Sequence, residues 1–195
     1  MKPRGKDKIL EATKLLISEK GISQLSVREI SKAAGVTTGS IYHHYKNKEE
    51  LLYEVINNSL NESHKILEEY NKDKFINYNI LDNVIESFTD RFNKEAENKI
   101  QLYLTVLGIE GNDDIKNKIA DKYAIWINDI TKLITLTYKD ISKDKAKSLG
   151  CILLATIDGL ILQNLIRGDI SNIDDITDTY NVLLKKVIPE IIKHI

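Results

Sequence analysis

Residues 27–45 have the sequence VREISKAAGVTTGSIYHHY and predict two short helices joined by a tight turn. Ser26 precedes this stretch and Glu29 follows three residues later, which is the spacing of a capping box at a helix start. The first helix of this pair is expected to end near Gly35, and Thr37 is the expected N-cap of the second helix of the pair. Two short helices around a glycine-containing turn are typical of a helix-turn-helix motif.

The second helix of the motif, about Thr38 to Tyr45, carries little apolar bulk. Ile41 and Tyr45 are four residues apart, so both can face the interior. The other side chains are available to a partner, which for a helix-turn-helix motif is the major groove of DNA. These side chains are Thr38, Ser40, Tyr42, His43 and His44.

Charge is unevenly distributed along the chain, although the net charge is only −1. Residues 1–48 hold ten Lys or Arg against four Asp or Glu, and the remainder holds 18 basic against 25 acidic residues. A basic N-terminal segment favours a polyanionic partner for that segment alone. Chance clustering of surface lysines is the alternative that charge by itself leaves open.

Apolar residues recur at helical spacing along almost the whole chain, and no alternating strand pattern persists. We therefore predict an all-α protein of about nine helices. The first is expected over residues 6–20, and the fourth, capped at Asn47 and running through Leu60, is expected to join the N-terminal head to the body. A capping box is expected at Ser171, and a kink or stop at Pro189. Further helices are predicted near 79–96, 99–110, 113–139, 143–167 and 174–194.

The stretch from Ile9 to Leu51 closely resembles the TetR family of transcriptional regulators. The resemblance implies a helix-turn-helix DNA-binding domain over 1–48 and a ligand-binding and dimerisation domain over 49–195. It also implies a sequence-specific repressor that a small-molecule effector releases from a pseudo-palindromic double-stranded DNA operator. The matching segments, in order, are Ile9–Ala12, Gly21, Leu25–Ile30, Ala33–Thr37, Gly39–Tyr42, His43–Tyr45 and Lys48–Leu51.

The resemblance also implies particular DNA contacts, position by position. Ordinary structural roles stay open for these residues. Tyr42 could be a packing aromatic, His43 and His44 could be exposed to solvent, and Lys48 could be a surface charge. The implied roles are phosphate binding by Arg28, Tyr42 and Lys48, contacts to backbone or base edges by Thr37 and Thr38, close approach at Gly39, base reading by Ser40, His43 and His44, and added contacts from Lys2, Arg4 and Lys6.

The C-terminal half contains segments that predict a buried interface. Residues 149–166 are apolar nearly all round, which predicts burial on most faces. Ala155 and Gly159 are small and four residues apart, so they would let helices approach closely. With the broad apolar face of the last helix, this segment is similar to the family's dimer interface, and we expect a homodimer. Cys151 is expected to be a buried small apolar residue.

Aromatic residues of the central helices are candidate ligand contacts. The resemblance places a ligand cavity among helices corresponding to residues 60–140, although helical spacing also explains these side chains as core. Arg91 and Glu110 could orient a polar group, or could be ordinary surface charges. The candidate pocket residues are Phe88, Phe92, Tyr103, Leu107, Tyr123, Trp126 and Ile130.

Residue patterns of common enzyme sites are absent from the sequence, including Gly-x-Ser-x-Gly, the phosphate-binding Gly-x-x-x-x-Gly-Lys and metal-spaced His/Cys sets. We therefore expect no enzyme activity and no cofactor. The adjacent His43 and His44 point in different directions from a helix, so a metal is not expected there. The apolar run 151–157 is too short to cross a bilayer, which favours a cytoplasmic protein without a membrane partner. The alternative function is an architectural DNA-binding protein without a ligand.

Overall fold

The computed structural model describes residues 5–72, 79–167 and 172–194. Within these ranges the chain is helical and has no strand, so the predicted all-α fold is confirmed. The helices are α1 (Gly5–Lys20), α2 (Val27–Ala34), α3 (Thr38–His44), α4 (Lys48–Ser59), α5 (Glu62–Lys72), α6 (Ile80–Asn93), α7 (Glu95–Ile109), α8 (Asp113–Thr137), α9 (Lys143–Arg167), α10 (Ile173–Val182) and α11 (Ile188–Ile192), with a π turn (Leu183–Val187) between the last two.

The chain divides into two compact units, and the unit that contains the N-terminus extends beyond the expected domain boundary at residue 48. Unit 1 comprises Met1–Leu60 and Lys94–Ala120, and unit 2 comprises Asn61–Asn93 and Asp121–Ile195. The helix-turn-helix thus packs together with α4, α7 and the first turns of α8. The functional division of the chain at residue 48 stays a prediction.

Unit 1 is built around α1, which packs on α2, α4 and α7. Helix α4 also packs on α7, and α2 packs on α3. The apolar positions of these helices recur every three or four residues, so each helix turns one apolar face inward. The largest fully buried side chains of this core include Ile9, Ile17, Ile30, Ile41, Leu51, Leu52, Ile56, Ile100 and Leu104.

The fourth helix has the predicted N-cap at Asn47 and ends one residue before the predicted Leu60, and a second helix follows it instead of one continuous helix. Helix α4 ends at Ser59, and the buried Leu60 leaves the helical conformation with φ −107° and ψ 65°. The Lys94 ammonium donates to the Ser59 carbonyl at 2.8 Å, which satisfies one of the carbonyls left without a partner at a helix end. A separate helix, α5, then begins at Glu62.

The apolar core of unit 2 is formed by α6, α8, α9 and the C-terminal helices. The Phe88 ring stacks on Tyr180 with centroids 4.3 Å apart and meets Phe92 edge-on at 5.2 Å. The hydroxyls of Thr89 and Thr177 lie 3.2 Å apart and add a polar link between α6 and α10. The predicted capping residue Ser171 lies outside the described residues, and the Asn172 side chain accepts from the Asp174 N–H at the start of α10.

Pro189 changes the hydrogen bonding of the last helix without ending it. The Ile188 N–H donates to the Leu183 carbonyl, which is the i→i−5 pattern of a π turn. Continuing that pattern would require an N–H from Pro189 for the Leu184 carbonyl, and proline has none. The Tyr138 hydroxyl donates to this carbonyl at 2.6 Å and so supplies the missing donor.

Candidate nucleic-acid interface

The N-terminus of α2 is fixed by the capping box that the sequence predicts. The Ser26 hydroxyl oxygen accepts from the Glu29 N–H, and a Glu29 carboxylate oxygen accepts from the Ser26 N–H at 3.1 Å. Lys20, at the end of α1, forms an ion pair with Glu29. This bond to Lys20 and the bond from Ser26 lower the pKa of Glu29. The contacts tie the start of α2 to the end of α1.

The turn between α2 and α3 depends on the backbone of Gly35. This residue has φ +66° and ψ 35°, the left-handed conformation that side-chain-bearing residues rarely adopt. Its N–H bonds the Lys32 and Ser31 carbonyls at the end of α2, and apart from its chain neighbours no atom in the described part of the chain lies within 4 Å of the position a Cβ would take. Conformation rather than lack of space therefore requires glycine here.

Helix α3 presents one apolar face to unit 1 and the rest of its surface to solvent. Ile41 and Tyr45 are buried, as their spacing predicts. The Thr37 hydroxyl oxygen accepts from the Ser40 N–H at 3.1 Å and caps the helix. Ser40 is half-buried. The side chains predicted to contact DNA that lie exposed on this surface are those of Thr37, Thr38, Tyr42 (56% exposed), His43 and His44.

Within the residues that the structure describes, no packing partner of Gly39 requires the absence of a side chain. A Cβ placed there would have the Thr37 Oγ1 as its nearest neighbour, at an ordinary contact distance of 3.8 Å. Gly39 itself is exposed. A demand for glycine at this position would therefore have to come from a bound partner, and the predicted close approach of DNA stays a prediction.

The three predicted phosphate-binding residues differ in their surroundings. Arg28 and Tyr42 are exposed, on α2 and α3 respectively. The Lys48 ammonium lies 3.5 Å from the Leu25 carbonyl oxygen and 5.6 Å from the centre of the Tyr103 ring, so it is directed toward the protein. Binding a phosphate would require the flexible lysine stem to turn outward.

The sequence interpretation missed Lys46, which is exposed in the short link between α3 and α4. Its backbone N–H donates to Glu50 at 2.8 Å, and Glu50 pairs with Lys118 of α8 at 3.2 Å. The same bond from Lys46 is the main reason that the pKa of Glu50 is lowered. The basic balance of residues 1–48 was the only sequence signal for Lys46, and it did not single out this lysine.

The predicted ligand residues fall into both compact units. Tyr103 and Leu107 belong to unit 1, and the other five belong to unit 2. Burial raises the pKa of the Tyr103 phenol, and the neighbouring carboxylate of Glu49 raises it further. Tyr103 thus contacts the first turn of α4 through both Lys48 and Glu49.

The five candidate ligand residues of unit 2 make contacts with the protein itself. Phe88 and Phe92 lie in the apolar core, and the half-buried Ile130 packs against it. The Tyr123 hydroxyl donates to Asp158 at 2.7 Å, and its ring meets the edge of the Trp126 ring at 5.3 Å. These contacts agree with the core interpretation, and the ligand role of the five residues stays a prediction.

Known proteins are similar to this chain both in the helix-turn-helix and beyond it. Residues 9–55 match the family of bacterial regulatory proteins described as the tetR family. The transcriptional regulator QacR of Staphylococcus aureus is 30% identical over 128 residues, which cover 62% of this chain and 67% of that protein. The chain belongs to the TetR family. This is a family of transcriptional regulators, and the matches indicate no enzyme family.

Two further matches define how far the family likeness extends. The transcriptional repressor KstR2 of Mycolicibacterium smegmatis is 34% identical over 55 residues, which cover 28% of this chain and about a quarter (27%) of that relative. A crystal structure of a TetR-family regulator from Rhodococcus sp. aligns with a TM-score of 0.71 at 19% identity, covering 92% of this chain and 96% of that one. At this identity the structure supports the TetR fold and nothing more specific.

This TetR-family chain has an apolar face on α9 that the single chain leaves uncovered. Ile152, Leu162 and Ile166 are exposed, Ile166 by 74%. Cys151 on the same helix is also exposed, so the expectation of a buried cysteine is wrong for the isolated chain. In the single chain only the side of α9 that faces the unit 2 core is covered, so the expected burial of residues 149–166 on most faces depends on the expected dimer and stays a prediction.

The length and composition of α9 would also permit a membrane span, which the run 151–157 alone did not predict. Little of its most apolar stretch is buried. No group of three or more His, Cys, Asp or Glu that could hold a metal ion occurs within the described ranges.

Proposed function

We propose that this TetR-family protein is a homodimeric repressor that binds a pseudo-palindromic operator through α3 and is released by a small-molecule effector. The observation that carries the proposal is the surface of α3, where Thr38, Tyr42, His43 and His44 are exposed around a buried Ile41. The rigid caps at Ser26 and Thr37 support this role, because a reading helix must be held in a fixed orientation.

In this proposal the side chains of α3 contact base edges and one phosphate, and the residues that flank α3 supply the positive charge. The helix contains neither lysine nor arginine, so its hydroxyl and imidazole groups would contact base edges and its Tyr42 hydroxyl a phosphate. The cations would come from the flanking Arg28, Lys46 and Lys48. Binding should therefore depend steeply on salt, through residues outside the reading helix.

The exposed apolar face of α9 supports the homodimer. Ile152, Ala155, Gly159, Leu162 and Ile166 recur at spacings of three and four residues, so they form one stripe along the helix. Apart from the backbone of α9 itself, no atom of the described residues lies within 4 Å of a Cβ built at Gly159, which leaves room for a second helix to approach. TetR-family regulators are DNA-binding proteins of the soluble class, so a second copy fits this stripe better than a bilayer does, and we infer a cytoplasmic location.

Dimerisation also has a physical reason in the length of the reading helix. Helix α3 has seven residues and can contact only a few base pairs. Two copies related by a two-fold axis would read half-sites about one helical turn, or a multiple of it, apart. An effector that binds better to a conformation with a different spacing of the two α3 helices would shift the population away from DNA.

Fluorescence anisotropy on the DNA upstream of the protein's own gene tests the proposal. We expect Tyr42→Ala to weaken binding with little change in salt dependence, because it removes a neutral donor. Lys48→Ala should lower the slope of log K against log salt by about 1 for each copy, since it removes one cation. Lys139→Ala, at an exposed position of unit 2, is the control for both.

Three outcomes separate the proposal from its alternative. Salt-sensitive binding to a palindromic site that is lost in the Tyr42→Ala, Lys48→Ala double variant supports the repressor. Equal binding of wild type and double variant would refute the assignment of phosphate contacts. Selection of genomic fragments that yields no palindrome would favour an architectural DNA-binding protein.

A further inference from the structure

We propose that the inner face of α8 in unit 2 is an effector site that selects a ligand bearing an N–H-donating cation on an aromatic or apolar body. The inference rests on the proposed release by an effector and names its chemical class. The site consists of Trp126 and Asp129 on α8, with His64 of α5 lying over the carboxylate.

The site lies on a buried stripe of α8 that mixes charged and apolar side chains. Lys122, Trp126, Asp129 and Leu133 follow one another at spacings of four, three and four residues, so they share one face of the helix. All four are buried. Leu133 packs with apolar side chains of α5, Asp129 lies beside His64 of α5, and Lys122 donates to Asn61, the residue before α5.

Asp129 is a buried carboxylate with an unused acceptor. The residue is 3% exposed, and its Oδ2 has no hydrogen-bond partner among the described residues. The Nδ1 of His64 lies 3.3 Å from Oδ2 but outside hydrogen-bond geometry, and the Lys132 ammonium lies 3.6 Å from Oδ1. A buried acceptor without a donor is costly, so a ligand N–H that reaches Oδ2 gains both a hydrogen bond and an ion pair.

Trp126 supplies the apolar part of the site and Lys122 sets the direction of the ligand. The indole lies one turn before Asp129 and is buried. The Lys122 ammonium lies 5.6 Å from the Trp126 ring and donates to the Asn61 side chain at 2.5 Å. Seven residues separate Lys122 from Asp129, about 10 Å along the helix. A ligand cation is therefore repelled at one end of the stripe and attracted at the other.

His64 is the cover over the carboxylate. Its side chain is more than half exposed and lies between Asp129 and Glu68, whose carboxylate is 3.5 Å from the Nε2. Rotation of this exposed ring would uncover Asp129 and leave two carboxylates beside the opening. Lys132 is the basic residue that faces the same carboxylate, and its exposed side chain can move into solvent.

The intrinsic fluorescence of the full-length protein tests the site directly, because Trp126 is the only tryptophan of the chain. The probe is 4-phenylbutylamine, a protonated amine at neutral pH, and its counterpart is 5-phenylpentanoate, a carboxylate of similar size. We expect a saturable change in Trp126 emission with the amine and none with the carboxylate. Asp129→Asn should weaken amine binding roughly tenfold or more, because it removes one member of a buried charge pair.

Two matched variants complete the experiment. Asp121→Asn removes an exposed carboxylate from the same helix and should leave amine affinity within about twofold. His64→Ala should preserve or increase affinity, since it removes the cover and keeps the carboxylate. Loss of binding in His64→Ala would overturn the role of His64 as a cover.

The proposal is refuted if both probes bind equally or if Asp129→Asn binds the amine as the wild type does. It is also refuted if the amine gives no saturable response up to about 10 mM, a concentration well above the dissociation constant expected for a probe of this size. DNA binding of the same proteins is measured separately. Asp129→Asn that binds DNA normally but not the amine supports the site. Failure of the wild type to bind DNA would contradict the proposed function, whereas the conclusion about amine binding would still rest on the fluorescence result alone.

Discussion

Replacement of Tyr138 by phenylalanine removes the hydroxyl that serves the Leu184 carbonyl and leaves the ring in place. The hydrogen bond is 2.6 Å long, and the carbonyl lies in the π turn before Pro189. A buried acceptor that loses its partner costs about 1–3 kcal/mol. For a protein of this size, that loss should lower the melting temperature by roughly 2–4 °C per kcal/mol.

A double-mutant cycle tests whether the hydroxyl compensates for the proline. Pro189→Ala restores an N–H to the last helix, so Tyr138→Phe should cost less in that background than in the wild type. Urea denaturation followed by circular dichroism, at one protein concentration, gives the four free energies of unfolding. Tyr42→Phe removes a hydroxyl from an exposed ring and serves as the control. Equal costs of Tyr138→Phe in both backgrounds would refute the compensation.

The same hydroxyl predicts a loss of stability at alkaline pH. Burial raises the pKa of Tyr138 to about 12, above its ordinary value of 10.0. A phenol with a raised folded-state pKa contributes its full stability below pH 10, and this contribution is lost as the pH rises from about 10 to 12. Stability of the Tyr138→Phe variant should therefore fall less over this interval. Parallel pH profiles of the two proteins would contradict the assignment.

Three shorter predictions concern the other structural features. Ser26→Ala removes the cap that bonds the Glu29 N–H and should cost about 1 kcal/mol of unfolding free energy, measured by urea denaturation. Gly108→Ala places a Cβ 2.9 Å from the backbone of Lys116 and should cost about 1–3 kcal/mol; a stability equal to wild type would mean that the turn between α7 and α8 can relax. Leu162→Glu introduces a charge into the exposed stripe of α9 and should convert the proposed dimer to monomer in sedimentation experiments, whereas an unchanged mass would place the interface elsewhere.

The helix-turn-helix could be predicted in detail because its boundaries are encoded by local chemistry. The capping box at Ser26, the left-handed position at Gly35 and the cap at Thr37 each act within a few residues, and the structure has all three. The inward positions of Ile41 and Tyr45 follow from helical spacing in the same way.

Features that depend on distant residues could not be predicted. The bond from Lys94 to the Ser59 carbonyl joins residues 35 positions apart, and the break between α4 and α5 that follows Ser59 was not predicted. The π turn before Pro189 is stabilised by Tyr138, 46 residues before the carbonyl that it bonds. Asp129 gave no sequence signal, because a single aspartate on a mostly polar helix is ordinarily solvated and only tertiary packing buries it.

The helix end at Ser59 has a mechanical consequence for any signal that reaches α3. A helix interrupted at Leu60 cannot transmit a rotation of α5 as a single rigid rod. Helix α4 is instead attached at its far end by Lys94 and at its first turn by Tyr103 and Lys118. All three side chains belong to unit 1, so a displacement of α4 must either carry α7 and the first turns of α8 with it or break these contacts.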